Sequence, residues 1–106
     1  KWEFPGGKIE LNESPEEALK REICEELDIE IEITSHFITI SHEYPDFKIE
    51  MVCYLCEQIS GKINLNEHID FLWLEIDELK DLDWAEADIP IVNKLVNEKL
   101  CYMKNI

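Results

Sequence analysis

Apolar residues recur every fourth position at Leu19, Ile23 and Leu27, and the pattern stops at Asp28. That spacing lays one apolar stripe along a helix of about 3.6 residues per turn. Ser14-Pro15-Glu16-Glu17 marks where the helix starts: an N-cap serine, a proline at the first helical position and a glutamate at the third form a capping box. The period then changes. Ile29, Ile31 and Ile33 alternate with Glu30 and Glu32, which predicts a strand with one buried face. A second strand is expected over Phe37 to His42. After a turn at Glu43-Tyr44-Pro45-Asp46, the β-branched and aromatic run from Phe47 to Glu57 reads as a central strand. Ser60-Gly61-Lys62 turns the chain again. A short strand over Phe71 to Glu75, a helical turn over Ile76 to Leu82 and an amphipathic helix over Ile91 to Leu100, opened by Asp88 and Pro90, complete the pattern. At the other end, Trp2 to Phe4 read as the end of a strand halted by Pro5-Gly6-Gly7.

A length of 106 residues with 45% hydrophobic content suits one small domain with a single core, spanning residues 1–106. No stretch approaches the roughly 20 apolar residues that cross a bilayer, and the acidic start is unlike a signal peptide, so a cytoplasmic protein is the expectation. The charge sharpens the picture. With 25 acidic against 10 basic residues and a formal charge of -15, the chain would repel nucleic acid polymers and anionic membranes. An anionic small ligand would need divalent cations to reconcile it with such a surface. Cys53-x-x-Cys56 has the spacing of half a zinc site, but it falls in an expected strand, where residues three apart point to opposite faces.

On the first helix, Glu22, Glu25 and Glu26 stand at i, i+3, i+4 and share one face. Like charges so placed repel by a few tenths of a kcal/mol per pair, and a hard divalent cation is their natural compensator. Such helices are commonly just solvated acidic faces. Here the acidic arc abuts the apolar stripe instead of opposing it, which places the carboxylates at the edge of a packed surface. Arg21, four residues before Glu25, can orient a carboxylate through a forked, charge-assisted hydrogen bond.

Gly7, five residues, Glu13, seven residues, then Arg21-Glu22-Ile23-Cys24-Glu25-Glu26 resembles the Nudix box, G-x5-E-x7-R-E-U-x-E-E-x-G-U. Asp28 departs from it by standing where the family has glycine, just past the helix end. A left-handed backbone is wanted there and Asp tolerates it, so a modest stability cost is expected. The flanks Trp2-Glu3-Phe4-Pro5-Gly6-Gly7-Lys8-Ile9-Glu10 and Ala87-Asp88-Ile89-Pro90 look like the MutT-like branch, so the resemblance covers nearly the whole chain. It implies an α/β/α sandwich around a mixed β-sheet. Strands that precede the box in the family are not supplied by a chain beginning at Lys1, and we expect upstream residues in the natural protein.

The resemblance further implies that the Gly7 carbonyl and the carboxylates of Glu22, Glu25 and Glu26 bind Mg²⁺, with Mn²⁺ as a substitute. Glu13 and Arg21 become positioning residues. Glu22, Glu25 and the loop residue Glu67 are the candidates for the general base, with Arg21 assisting. Phe4, Lys8 and Asp88 are expected to contact substrate: Lys8 at a phosphate oxygen, and Asp88 at the base edge, where an ionised carboxylate selects N–H groups, unless it only caps the last helix. Tyr44, Phe71 and Trp84 are further stacking candidates, while His36, His42 and His68 show no ligand spacing. The implied reaction is Mg²⁺-dependent hydrolysis of a nucleoside triphosphate, such as 8-oxo-dGTP, CTP or a 5-substituted dCTP, to a monophosphate and pyrophosphate. The alternatives are another nucleoside diphosphate derivative as substrate, such as ADP-ribose or a dinucleoside polyphosphate, or a non-catalytic nucleotide sensor. The expected partner is a small nucleotide, bound by a monomer or homodimer.

Overall fold

Ser14 begins the first helix as its capping box predicts. In the computed structural model, which describes residues 1–62 and 74–104, α1 runs over Pro15–Leu27. The Glu17 N–H donates to Ser14 Oγ at 3.1 Å, and the Ser14 N–H to Glu17 Oε1 at 3.3 Å. Two helix-start donors are thereby satisfied reciprocally. At the other end Asp28 takes the left-handed conformation, φ 58° and ψ 36°, and its N–H closes on the Cys24 carbonyl at 3.0 Å. The non-glycine residue of the box therefore adopts the backbone that glycine would have supplied without strain.

The residues fall into two compact units, Pro5–Asp70 and Lys1–Phe4 with Phe71–Ile106. In the first unit, α1 leads into an antiparallel hairpin of β1, Ile29–Glu43, and β2, Lys48–Gly61. The two strands expected over 29–33 and 37–42 are one continuous strand. Register shifts between Ile33 and Ser35 and between His36 and Ile38 leave Thr34 and Phe37 without a Cα partner. Each such bulge changes the parity of the side chains, so the alternation that predicts two separate runs is a single strand interrupted twice. Ile23 packs with Ile29 and Ile31, flanked by Leu19 and Leu27, so the helical stripe is buried against the strand that directly follows it. Phe37 and Ile40 are also buried.

The strand expected to be central is a hairpin arm whose residues are half-buried or exposed. Of the mixed sheet, the described residues supply this antiparallel pair alone. The hairpin closes at Tyr44, whose N–H donates to the Phe47 carbonyl at 2.8 Å. At its open end Gly61 has φ 93°, and a Cβ there would stand 2.9 Å from the Asp28 carbonyl oxygen. That position needs glycine on both counts.

In the second unit, 3₁₀ turns over Ile76–Asp81 and Glu86–Asp88 lead into α2, Ile89–Lys104. The helix begins at Ile89, two residues earlier than its apolar pattern predicts. Leu79, Ala87, Ile91 and Val92 are buried. Instead of closing a strand, Trp2 makes a single parallel bridge to Trp84, with its N–H on the Asp83 carbonyl and its carbonyl accepting from Ala85, both at 2.8 Å. Of the short strand expected over Phe71 to Glu75, residues 71–73 lie outside the described residues, and Leu74 and Glu75 belong to no strand. No described helix is long and apolar enough to cross a membrane.

Candidate active site

Between Gly7 and the helix the chain must come close to α1, and it does so where it has no side chain. A Cβ built on Gly7 would overlap the Glu22 carboxyl group, so only glycine lets the loop backbone lie against that carboxylate. The loop then turns tightly. Glu13 donates its N–H to the Glu10 carbonyl at 3.1 Å, and the Glu10 N–H donates to Glu13 Oε1 at 3.0 Å. Asn12, at φ 66°, supplies the left-handed residue of this turn. The result is a Glu13 carboxylate aimed at α1.

Arg21 receives it. Its Nε donates to Glu13 Oε2 at 2.7 Å and its Nη2 to Glu13 Oε1 at 3.0 Å, a bidentate pair. Nη2 also donates to the Lys8 carbonyl at 2.9 Å. Nη1 faces the other way, donating to Glu22 Oε1 at 2.9 Å and Glu25 Oε2 at 3.3 Å. A guanidinium has five N–H donors, and here each finds an oxygen. Two of its edges clamp the loop while the third amine joins two box carboxylates. The electrostatics follow: the Arg21 guanidinium holds the Glu13 carboxyl below the usual range, and Glu13 and Glu22 in turn raise the pKa of Arg21.

The structure thus brings together Gly7, Glu13, Arg21, Glu22 and Glu25 in the first unit. Glu26 follows on the helix, half-buried. Lys8 enters through its backbone carbonyl, and its side chain is exposed. Among the described residues, no three Asp, Glu, His or Cys side chains are grouped tightly enough to hold a metal ion, and Glu22 and Glu25 are turned onto Arg21 Nη1. The donor chemistry nevertheless fits a hard divalent cation: carboxylate oxygens lie beside loop backbone at a point where a Cβ has no room. Glu10 joins the cluster, its carboxylate 3.7 Å from Arg21 Nη1. The box pattern gives no sign of it, since that position is unrestricted. A groove of about 370 Å³ on the flank of α1, lined by Lys20, Cys24, Ile29, Ile31, Ile59 and neighbours, contains none of the box glutamates.

Phe4 and Asp88 come together in the second unit. The Phe4 N–H donates to Asp88 Oδ2 at 3.0 Å, and the Phe4 ring stacks on Trp84 at 4.6 Å and 19°. Trp84 is fixed in turn, its Nε1–H on the Leu79 carbonyl at 2.6 Å. Asp88 is 6% exposed, and burial raises its carboxyl above the usual range despite the bond from Phe4, with Glu3 adding to the rise. Tyr44, another stacking candidate, lies on Phe47 with centroids 4.9 Å apart. Glu67, His68 and Phe71 lie outside the described residues.

Comparison with known proteins identifies the family. Residues 1–94 match the family described as NUDIX domain. An 8-oxo-dGTP diphosphatase of Escherichia coli (strain K12) is 37% identical over 95 residues, covering 90% of this chain and 74% of that protein. A CTP pyrophosphohydrolase of the same organism is 33% identical over 91 residues, covering 86% of this chain and 67% of that protein. The solution structure of a MutT protein from methicillin-resistant Staphylococcus aureus 252 superposes with a TM-score of 0.72 at 44% identity, covering 92% of this chain and 75% of its own. By the extent of the sequence match and the shared fold, this chain belongs to the Nudix family and is a Nudix hydrolase.

Proposed function

We propose that the enzyme hydrolyses a nucleoside triphosphate, in the class of 8-oxo-dGTP, CTP or 5-substituted dCTP, to a nucleoside monophosphate and pyrophosphate with Mg²⁺ as its cofactor. The observation that carries this reading is the saturated Arg21 fork, which fixes the Gly7 loop and two box carboxylates as one rigid body. Catalysis of phosphoryl-group chemistry is mainly positioning and charge stabilisation, and a body of this kind supplies both. Gly7, through its carbonyl, and Glu22, Glu25 and Glu26 are the residues that would hold the cation. A bound Mg²⁺ would supply neutralisation of phosphate charge and a lowered pKa for a water, so that the water can lose a proton and become the nucleophile.

The remaining roles belong to the chain itself. Arg21 orients Glu22 and Glu25, Glu13 keeps Arg21 in place, and the Lys8 amine is available to a phosphate oxygen. Glu22, Glu25 and Glu67 are the candidate proton acceptors. Phe4 and Asp88 are assigned to the base, with the Asp88 carboxylate accepting from base N–H groups. Mn²⁺, with the same preference for oxygen ligands, should substitute. The names of the relatives support this substrate class.

Incubation with canonical, 8-oxo and 5-substituted nucleotides plus Mg²⁺, followed by anion-exchange separation, tests the reading. Monophosphate and pyrophosphate in equal amounts are expected. Orthophosphate as the first product would refute attack at an inner phosphorus, and ¹⁸O-labelled water then identifies the phosphorus attacked.

A further inference from the structure

The first helix is held on its hairpin by two kinds of contact. From the second turn to its C-terminal end, Leu19, Ile23 and Leu27 pack with Ile29 and Ile31. In the first turn the buried side chain is Ala18, whose methyl permits close approach but resists little sliding. A polar bond acts on the same turn. Tyr54 on β2 donates its hydroxyl to the carboxylate of Glu16, a residue 38 positions away. Tyr54 is itself oriented by its neighbours. It stands opposite His36 in the ladder, the His36 ring meets it edge-on at 5.8 Å, and His36 Nε2 lies 2.8 Å from Thr39 Oγ1. The carboxylate acceptor pushes the phenol up to about 12.

Glu16 is the second residue of α1, and helix ends fray unless something holds them. Opening this turn would break the reciprocal Ser14–Glu17 bonds. It would also loosen the backbone entering from Glu13, whose carboxylate clamps Arg21. We propose that Tyr54 is a positioning residue for the box: through Glu16 it keeps the first turn of α1 closed and so keeps the Gly7–Glu13 loop in register with Glu22 and Glu25. The kinetic consequence rests on the function proposed above; the structural one does not.

The test uses Tyr54→Phe, Glu16→Ala, Glu16→Gln and the double variant Tyr54→Phe/Glu16→Ala. The N–H groups of Glu17 and Ala18, which bond to Ser14 Oγ at 3.1 Å and to the Ser14 carbonyl at 2.9 Å, report on the turn by hydrogen exchange. Tyr54→Phe and Glu16→Ala should each speed their exchange about tenfold relative to amides near Leu27. Each should lower kcat by about three- to tenfold with KM nearly unchanged, and the double variant should be no worse than either single. Glu16→Gln keeps an acceptor oxygen and should keep turnover, while the absorbance titration of Tyr54 returns toward the ordinary value of about 10. Unchanged exchange at Glu17 and Ala18 in a Tyr54→Phe enzyme that still turns over substrate overturns this proposal alone. Additive losses in the double variant, or a Glu16→Gln protein as damaged as Glu16→Ala, overturn it as well. Absence of turnover in the wild-type protein overturns the proposed function, and exchange at Glu17 and Ala18 then decides the structural role by itself.

Discussion

Replacing Asp88 separates the two costs of burying it. The side chain is 6% exposed and its Oδ2 accepts the Phe4 N–H at 3.0 Å. Asp88→Ala leaves that donor without its acceptor, which costs about 1–3 kcal/mol, and at about 4–8 °C per kcal/mol for a domain near this size the loss is easily read in a thermal melt. Asp88→Asn keeps an acceptor oxygen and removes the charge. Burial raises the Asp88 carboxyl above its ordinary value, outweighing the bond from Phe4 that lowers it. The sign follows: a folded-state pKa above the unfolded one gives stability that is fully present below the unfolded value, about 3.9, and lost as pH rises through the folded value. Wild type should therefore lose ground to Asp88→Asn as pH rises from about 3 toward neutrality. Circular-dichroism melts of the three proteins across that range decide it. An alanine variant as stable as wild type would show that Phe4 does not depend on this acceptor, and a wild-type advantage over asparagine that grows with pH would refute the burial argument.

Other substitutions probe other parts of the molecule. Gly7→Ala places a Cβ on the Glu22 carboxyl group; that flexible end can move aside, so stability should fall by less than about 1 kcal/mol while kcat drops at least about tenfold in a steady-state assay. Gly61→Ala meets both a φ of 93° and the Asp28 carbonyl oxygen at 2.9 Å, and urea denaturation should show a loss of about 1–3 kcal/mol. Glu26→Gln should melt nearly as wild type yet lose more than about 90% of kcat at saturating Mg²⁺, and retention of more would remove this carboxylate from the cation's ligands. Chelation with EDTA should abolish turnover, and added Mn²⁺ should restore it.

How much of this was legible in the sequence depended on how local each determinant is. The ends of α1 are set by residues within one turn of each other, so Ser14, Glu17 and Asp28 could be read directly. The hairpin could not. Its unpaired residues Thr34 and Phe37 change the side-chain parity, which periodicity alone registers as a break between two strands. The sequence anticipated Arg21 beside Glu25 and, through the family resemblance, beside Glu13, but not that Glu22 and the Lys8 carbonyl would complete the fork; a backbone oxygen carries no sequence signal. Trp2 to Phe4 look like strand because two aromatic residues alternate with Glu3. Their partner is the irregular segment over 83–88, whose hydrogen bonds no local pattern announces. Tyr54 and Glu16, 38 positions apart, lie beyond any local reading.

The bulges of the hairpin also bear on how readily its strands could pair with other chains. β2 carries exposed Leu55 and Ile59, and a long flat strand with such residues is a template on which further chains could pair and aggregate. Three register shifts in this ladder, one of them leaving Ile59 itself unpaired, prevent flatness. Bulges increase the right-handed twist of a strand, so a flat second hairpin would fit poorly along this ladder. The irregularities that hid the strand from periodicity thus work against edge-to-edge aggregation.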